Sequence, residues 1–198
     1  MDSARYYDDS AEAFIDQTRR VDMAEHRARF LSKIPAHASV LDAGSGSGRD
    51  AEAFKSSGYN VYAFDGSKSM VEATRSFAGV PTRLLRFEDF EWDRQFDGVW
   101  ACASLLHVHR SDLAPVLSKL ASAMIGGGIL YASFKFGQTE REERGRYFND
   151  MNVTVLSEVL KMLPCLDLEE HWISHDQRPQ RRNELWLNCL LKKNSAEG

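Results

Sequence analysis

Three glycines spaced two apart, Gly44, Gly46 and Gly48, follow an acid at Asp42, and a second acid, Asp65, ends the next apolar run. Backbone without side chains turns sharply and lets a ligand reach the main chain, and N–H groups exposed at a helix start favour negative charge. A dinucleotide fingerprint, G-x-G-x-x-G, begun at Gly44 needs its third glycine at position 49, which is Arg49. The glycines run G-x-G-x-G instead. A carboxylate just ahead of such a loop repels a pyrophosphate and favours an ammonium group. An acid closing the second strand is placed to accept from both hydroxyls of a ribose. The pair suits a ligand with an amino-acid end and a nucleoside end. A glycine triplet alone reads equally as a plain strand-to-helix turn, and the two acids tip the balance.

The elements that must hold these residues alternate. Apolar runs over 39–43, 60–65, 82–86, 96–103 and 129–134 read as strands, and helical spacing over 23–34, 50–57, 67–77 and 112–124 separates them. Gly126, Gly127 and Gly128 stop the last of these helices. This rhythm predicts a parallel sheet with helices on both faces. After Lys135 it breaks: a charged segment, GQTEREERGRYFND, precedes a helix over 155–163. Strand-like stretches over 168–174 and 184–191 then flank a turn containing Arg178, Pro179, Arg181 and Arg182. A sheet ending in an antiparallel hairpin is mixed, unlike a standard dinucleotide fold.

Composition narrows the function. The 198 residues are 43% hydrophobic and 27% charged, as expected of one globular domain with a core of its own. The net charge of -4 argues against a protein that holds nucleic acid along one basic face. Cys102, Cys165 and Cys189 form no C-x-x-C pair, so neither a disulfide framework nor a metal site is expected. The opening MDSARYYDDS does not read as a signal peptide, and no apolar run reaches membrane-spanning length. The expectation is a soluble cytoplasmic protein with no membrane partner.

S-adenosylmethionine has both ends that the two acids would take. The sequence resembles the class I S-adenosylmethionine-dependent methyltransferases, most of all small bacterial enzymes of the tellurite-resistance type. The resemblance lies in VLDAGSGSGRDAEAF, YNVYAFDGSKSMVEAT, FDGVWACASLLHV and GGGILYASF, in that order across residues 38–135. It implies an α/β, three-layer Rossmann-like fold with a mostly parallel seven-stranded sheet ending in an antiparallel hairpin. It also implies one domain over 1–198: a helical extension (1–37), a cofactor-binding core (38–135), and a substrate-side segment with the hairpin (136–198). Carried over position by position, Asp42, Ala43, Gly44, Ser45 and Gly46 would cradle the methionine end. Asp65 would accept from the ribose, and Gly66 and Met70 would lie against adenine. Phe87 and Glu88 would bracket the adenine, although Arg86 stands where many members have Asp. Ala101 and Cys102 would offer carbonyls near the methionine portion.

Methyl transfer from a sulfonium needs mainly proximity and orientation, with a base only where the acceptor must lose a proton. His107 in SLLHVHR is the first choice of base, ahead of His109. On the acceptor side the expectation falls on Tyr6, Tyr7, Lys135 and Arg146. If several cations converge there, the acceptor is anionic, because the arginine fork matches a carboxylate or phosphate. The charged run at 140–144 and the turn arginines read first as solvent-facing, and Trp172 and Trp186 as packing of the hairpin. The function expected is methylation of a small molecule. An RNA or protein methyltransferase and a non-catalytic S-adenosylmethionine-binding protein are the alternatives, and the glycine spacing counts against a nicotinamide oxidoreductase.

Overall fold

The computed structural model describes residues 3–195. Five strands run parallel: β1 (Ser39–Ala43), β2 (Asn60–Asp65), β3 (Thr82–Leu84), β4 (Phe96–Ala101) and β5 (Met124–Lys135). Two late strands, β8 (Leu166–His175) and β9 (Leu185–Lys193), complete a seven-stranded sheet in the order β3-β2-β1-β4-β5-β9-β8. β9 is antiparallel to both neighbours, β5 and β8. The mixed sheet with an antiparallel end is the architecture expected from the broken rhythm.

Strands buried on both faces need apolar residues at consecutive positions, since successive side chains point to opposite sides. In β1 Val40 joins the core of one face, while Leu41 and Ala43 join the other. On the Val40 side Phe30 packs against Phe54 and Trp100 at centroid distances of 5.7 and 5.3 Å. These rings bring in α3 (Ala24–Leu31) and α4 (Arg49–Ser56). The opposite face is covered by α6 (Arg110–Ser122), through Leu113, Val116, Leu117 and Leu120, and by α7 (Val153–Leu160). α5 (Lys68–Ala78) stands between β2 and β3 on the Val40 side.

Several boundaries differ from those expected. β3 ends at Leu84, two residues short. β5 begins at Met124, so the glycine run lies inside the strand, where a register shift against β4 between Phe96 and Gly98 absorbs it. α7 starts at Val153 because Asn152 caps it, its side chain accepting from the Val155 N–H at 2.9 Å. The charged segment is a hairpin of its own, β6 (Glu140–Glu143) with β7 (Arg146–Asn149). Its turn residues Arg144 and Gly145 have φ of 51° and 76°, the left-handed pair that a two-residue hairpin turn requires. The N-terminal extension holds three helices: α1 (Ser3–Asp9), α2 (Ala11–Thr18) and α3.

The sheet order reverses between β1, which leads outward to β2, and β4, which leads the other way. In such sheets the crevice beyond the carboxyl ends of those strands takes the ligand. Here α1 and α2, neither of which has a fully buried residue, lie across that crevice. Among the described residues, no helix is long and apolar enough to cross a membrane, and no cluster of three His, Cys, Asp or Glu could hold a metal ion.

Candidate active site

The strand tips and the extension enclose a cleft of about 310 Å³. Its floor is the turn between β1 and α4. Gly44 has φ +79°, and a Cβ there would lie 2.4 Å from the Cβ of Ser104, whose hydroxyl donates to the Ala43 carbonyl at 2.6 Å. Only glycine combines that conformation with that approach. Asp65 organises the turn from the side: one carboxylate oxygen accepts from the Gly46 N–H and the other from the Ser67 N–H, both at 2.9 Å. Burial raises the Asp65 carboxyl to about 6, against these backbone bonds, which favour the ionised form.

Asp42, at the tip of β1, is 3% exposed, and its Oδ2 has no hydrogen-bond partner. Burial holds its carboxyl well above the usual range, with the charges of Asp50 and Asp65 adding to that and Arg49 opposing it. An unpartnered buried oxygen costs free energy unless a ligand donor meets it. Beside it lies a pairing the sequence did not announce. Asp50 accepts from Arg49 at 2.6 Å, from Arg27 at 2.8 Å and from the Trp100 indole at 3.0 Å. Burial pushes the Asp50 carboxyl up, but the two arginines win and hold it below its ordinary value. The only sequence signal for this cluster is Arg49 in the place of the third fingerprint glycine. Arg49 also reaches the Cys102 sulfur at 3.7 Å, where burial pushes the thiol up to about 12 and keeps it neutral.

The roof is latched at both ends. Asp8 of α1 accepts from the Ser67 hydroxyl at 2.6 Å and the Ser69 N–H at 3.0 Å, at the N-terminus of α5. Arg19, just past α2, donates to the Ser47 carbonyl at 3.2 Å, and Arg49 donates to the Thr18 carbonyl at 3.4 Å. Between the latches Phe14 faces Gly46, and Tyr7 packs on Phe14 with ring centroids 4.9 Å apart.

Tyr7 and His107 form a pair. The Tyr7 hydroxyl lies 2.7 Å from His107 Nε2, and His107 Nδ1 lies 2.7 Å from the Tyr147 carbonyl. A carbonyl only accepts, so Nδ1 carries the proton and Nε2 accepts from the phenol. Burial lowers the His107 pKa to about 4, so the ring is neutral near pH 7. Burial raises the Tyr7 phenol, and the Arg146 charge works against that rise.

Of the residues expected to meet an acceptor, Lys135 is paired with Glu184 at 2.6 Å. Arg178 is paired with Asp176, which also accepts from the Trp186 indole at 3.2 Å. The Arg146 guanidinium stands over the Tyr6 ring at 4.3 Å and the Phe148 ring at 5.0 Å.

Of the residues singled out in the sequence, Asp42, Gly44, Ser45, Gly46, Asp65, Gly66, Met70, Phe87, Glu88, Cys102, His107, Tyr7, Lys135 and Arg146 line the cleft. Three do not. Ala43 and Ala101 are fully buried in the sheet beneath it, because their side chains point into the packed α6 face. Tyr6 stands behind Arg146 rather than in the lining. The turn arginines divide: Arg182 is exposed, whereas Arg178 and Arg181 line the cleft, since the loop between β8 and β9 folds over the strand tips. The charged run is only partly a solvated face, for Arg141 pairs with Asp150 at 2.9 Å and stacks over Phe148. Trp172 packs the hairpin against His26 as expected, but Trp186 lines the cleft. Phe14, Arg49, Asp50 and Ser104 enter the site without having been singled out as ligands.

With this geometry the relatives can be placed. Residues 40–128 match a family model described as a methyltransferase domain. No curated protein matches the sequence. Among solved structures, the chain is similar to the 1,6-didemethyltoxoflavin-N1-methyltransferase of Burkholderia thailandensis, determined with 1,6-didemethyltoxoflavin and S-adenosylhomocysteine. That likeness has a TM-score of 0.77 and 20% identity, covering 98% of this chain and 86% of that one. It is also similar to the N-methyltransferase NodS of Bradyrhizobium japonicum, in complex with S-adenosylhomocysteine, at TM-score 0.73 and 15% identity over 94% and 97% of the two chains. The [4+2]-cyclase SpnF shares the fold too, at TM-score 0.72 and 11% identity over 98% and 96%. Residues 40–128 therefore match a methyltransferase domain, and the chain as a whole shares the Rossmann-like fold of these S-adenosylhomocysteine-bound structures.

Proposed function

We propose that the protein transfers a methyl group from S-adenosylmethionine to a small-molecule acceptor bound between the strand tips and the α1–α2 roof. The observation that carries this reading is Asp42 Oδ2, buried in the cleft and unpartnered, next to a glycine turn that Asp65 holds open. An ammonium group satisfies that oxygen, and ribose hydroxyls find the remaining lone pairs of Asp65. Phe87 and Met70 offer apolar surface for a base. Bound there, S-adenosylmethionine supplies an electrophilic methyl group on a sulfonium.

The chain's own residues supply position and a proton route. The latched roof places Tyr7 over the cleft. Where the acceptor heteroatom must lose a proton, the Tyr7 oxygen takes it as the phenol proton passes to His107 Nε2, and the Tyr147 carbonyl steadies the imidazolium. His107 thus acts through Tyr7, because Nε2 is already occupied by the phenol. A small acceptor fits a cleft of this size beneath a roof better than RNA or a protein side chain on a folded surface, and the similar structures described as N-methyltransferases favour the same reading.

Calorimetric titration with S-adenosylmethionine and with NADH, followed by turnover of methyl-labelled donor against metabolite extracts, tests the proposal. Donor binding and label transfer to a small molecule are expected. Binding without transfer leaves the fold with a different task, as the cyclase shows is physically open, and NADH binding in its place refutes the reading.

A further inference from the structure

Four cations lining the cleft have a carboxylate within 3.5 Å: Arg49 with Asp50, Lys135 and Arg181 with Glu184, and Arg178 with Asp176. Arg146 has none among the described residues. Its nearest candidate by register, Glu143 across the hairpin, is turned to Arg141 at 2.5 Å. What holds Arg146 is aromatic: Tyr6 at 4.3 Å, Phe148 at 5.0 Å and Tyr7 at 5.9 Å from the guanidinium carbon. Ring faces fix the orientation of a guanidinium without neutralising it, and besides the rings the side chain reaches the Tyr7 hydroxyl. Nε of Arg146 is buried and has no partner.

We propose that Arg146 is the receptor for an anionic group on the methyl acceptor, so that the substrates of this enzyme are small carboxylates or molecules with an equally planar, delocalised anion. This rests on the reading of the cleft as a methyl-transfer site and adds the acceptor's chemical class to it. A cation caged by rings and lacking a counter-ion is an arrangement kept for a ligand, since the fork-shaped donor set matches a carboxylate with two parallel bonds. The cage also orients what it binds. An anion in the guanidinium plane brings the rest of the molecule past the Tyr7 hydroxyl, where the proton route begins. Phe148 and Tyr7 give it apolar walls, which favours a flat acceptor body.

The test uses the full chain saturated with S-adenosylhomocysteine and reads binding by calorimetry. The probes are benzoate, anthranilate and 4-hydroxybenzoate, each beside its carboxamide. At least one carboxylate is expected to bind about tenfold or more tightly than its amide, as a charge-assisted bidentate contact requires. Arg146→Gln is expected to erase that preference, and Arg146→Lys to restore part of it, with S-adenosylhomocysteine affinity unchanged in both. Equal binding of acid and amide, no binding of any carboxylate, or a preference that survives in Arg146→Gln overturns the inference. A fall in S-adenosylhomocysteine affinity in Arg146→Gln overturns it as well, by assigning the cation to the donor. Failure of the unaltered protein to bind S-adenosylhomocysteine refutes instead the proposed function on which the inference stands.

Discussion

Asp42→Asn separates the cost of a buried acid from its use. In the free protein, Asp42 Oδ2 has no donor, and burial together with Asp50 and Asp65 makes ionisation costly. The amide has nearly the same shape and carries no charge, so the free variant is expected to be more stable. The amide still leaves a polar atom without a partner, but removal of the desolvated charge is worth about 1 kcal/mol, or about 2–4 °C in Tm for a chain of this size. The gain should depend on pH with a definite sign. A carboxyl whose folded pKa is raised penalises the folded state fully above that pKa and not at all below the unfolded value of 3.8. The variant's advantage therefore grows as pH rises and closes in acid. Donor affinity should move the other way: loss of a charge-assisted bond to an ammonium costs about 1.5–3 kcal/mol, roughly 10- to 100-fold in Kd. Thermal melts without ligand across pH, and calorimetry with S-adenosylmethionine at neutral pH, measure the two halves. A variant less stable than the parent at neutral pH would refute the cost assigned to the buried charge, and unchanged donor affinity in a folded variant would refute the role assigned to Asp42.

Asp65→Ala should weaken donor binding more than about tenfold, because the ionised acid makes charge-assisted bonds to hydroxyls. In the unaltered protein donor affinity should fall as pH drops through about 6, where Asp65 takes up its proton; by the same shift, the free protein gains stability from this group between about 6 and 3.8. Calorimetry and melts over that range check both signs. Tyr7→Phe keeps the ring packing on Phe14 but removes the phenol from His107, so kcat toward an acceptor that must lose a proton should fall by about 10²-fold, with S-adenosylhomocysteine affinity intact. At saturating donor, kcat of the parent should hold until pH approaches 4, where His107 protonates. Stability from the neutral buried ring, complete above 6.5, should be lost over the same descent. Gly44→Ala places a methyl 2.4 Å from the Ser104 Cβ at φ +79°, and should destabilise by at least about 1–2 kcal/mol in urea unfolding from the conformation alone.

The parallel core was legible in the chain because its signals are local. Consecutive apolar residues such as Val40 and Leu41 declare a strand buried on both faces, Ser67 caps α5 through its own Met70 N–H, and an acid on each side of a glycine turn needs no distant partner to be recognised. The antiparallel end could be read as a break in rhythm for the same reason. What the chain could not declare is the company kept across sequence distance. Tyr7 meets His107 across 100 positions and Arg49 meets Cys102 across 53, and no spacing rule links such pairs. Nor could pattern say that Ala43 and Ala101 lie under the cleft while Trp186 and Arg178 line it, since strand alternation sets a side chain's face only once the sheet's neighbours are known. The residue expected to be the base shows the division most clearly. Its residue type and place after β4 marked His107, but the fold turned one ring nitrogen to a carbonyl and the other to a phenol. It thereby placed the phenol of Tyr7, on a roof helix with no buried residue of its own, on the ring nitrogen that would otherwise be free.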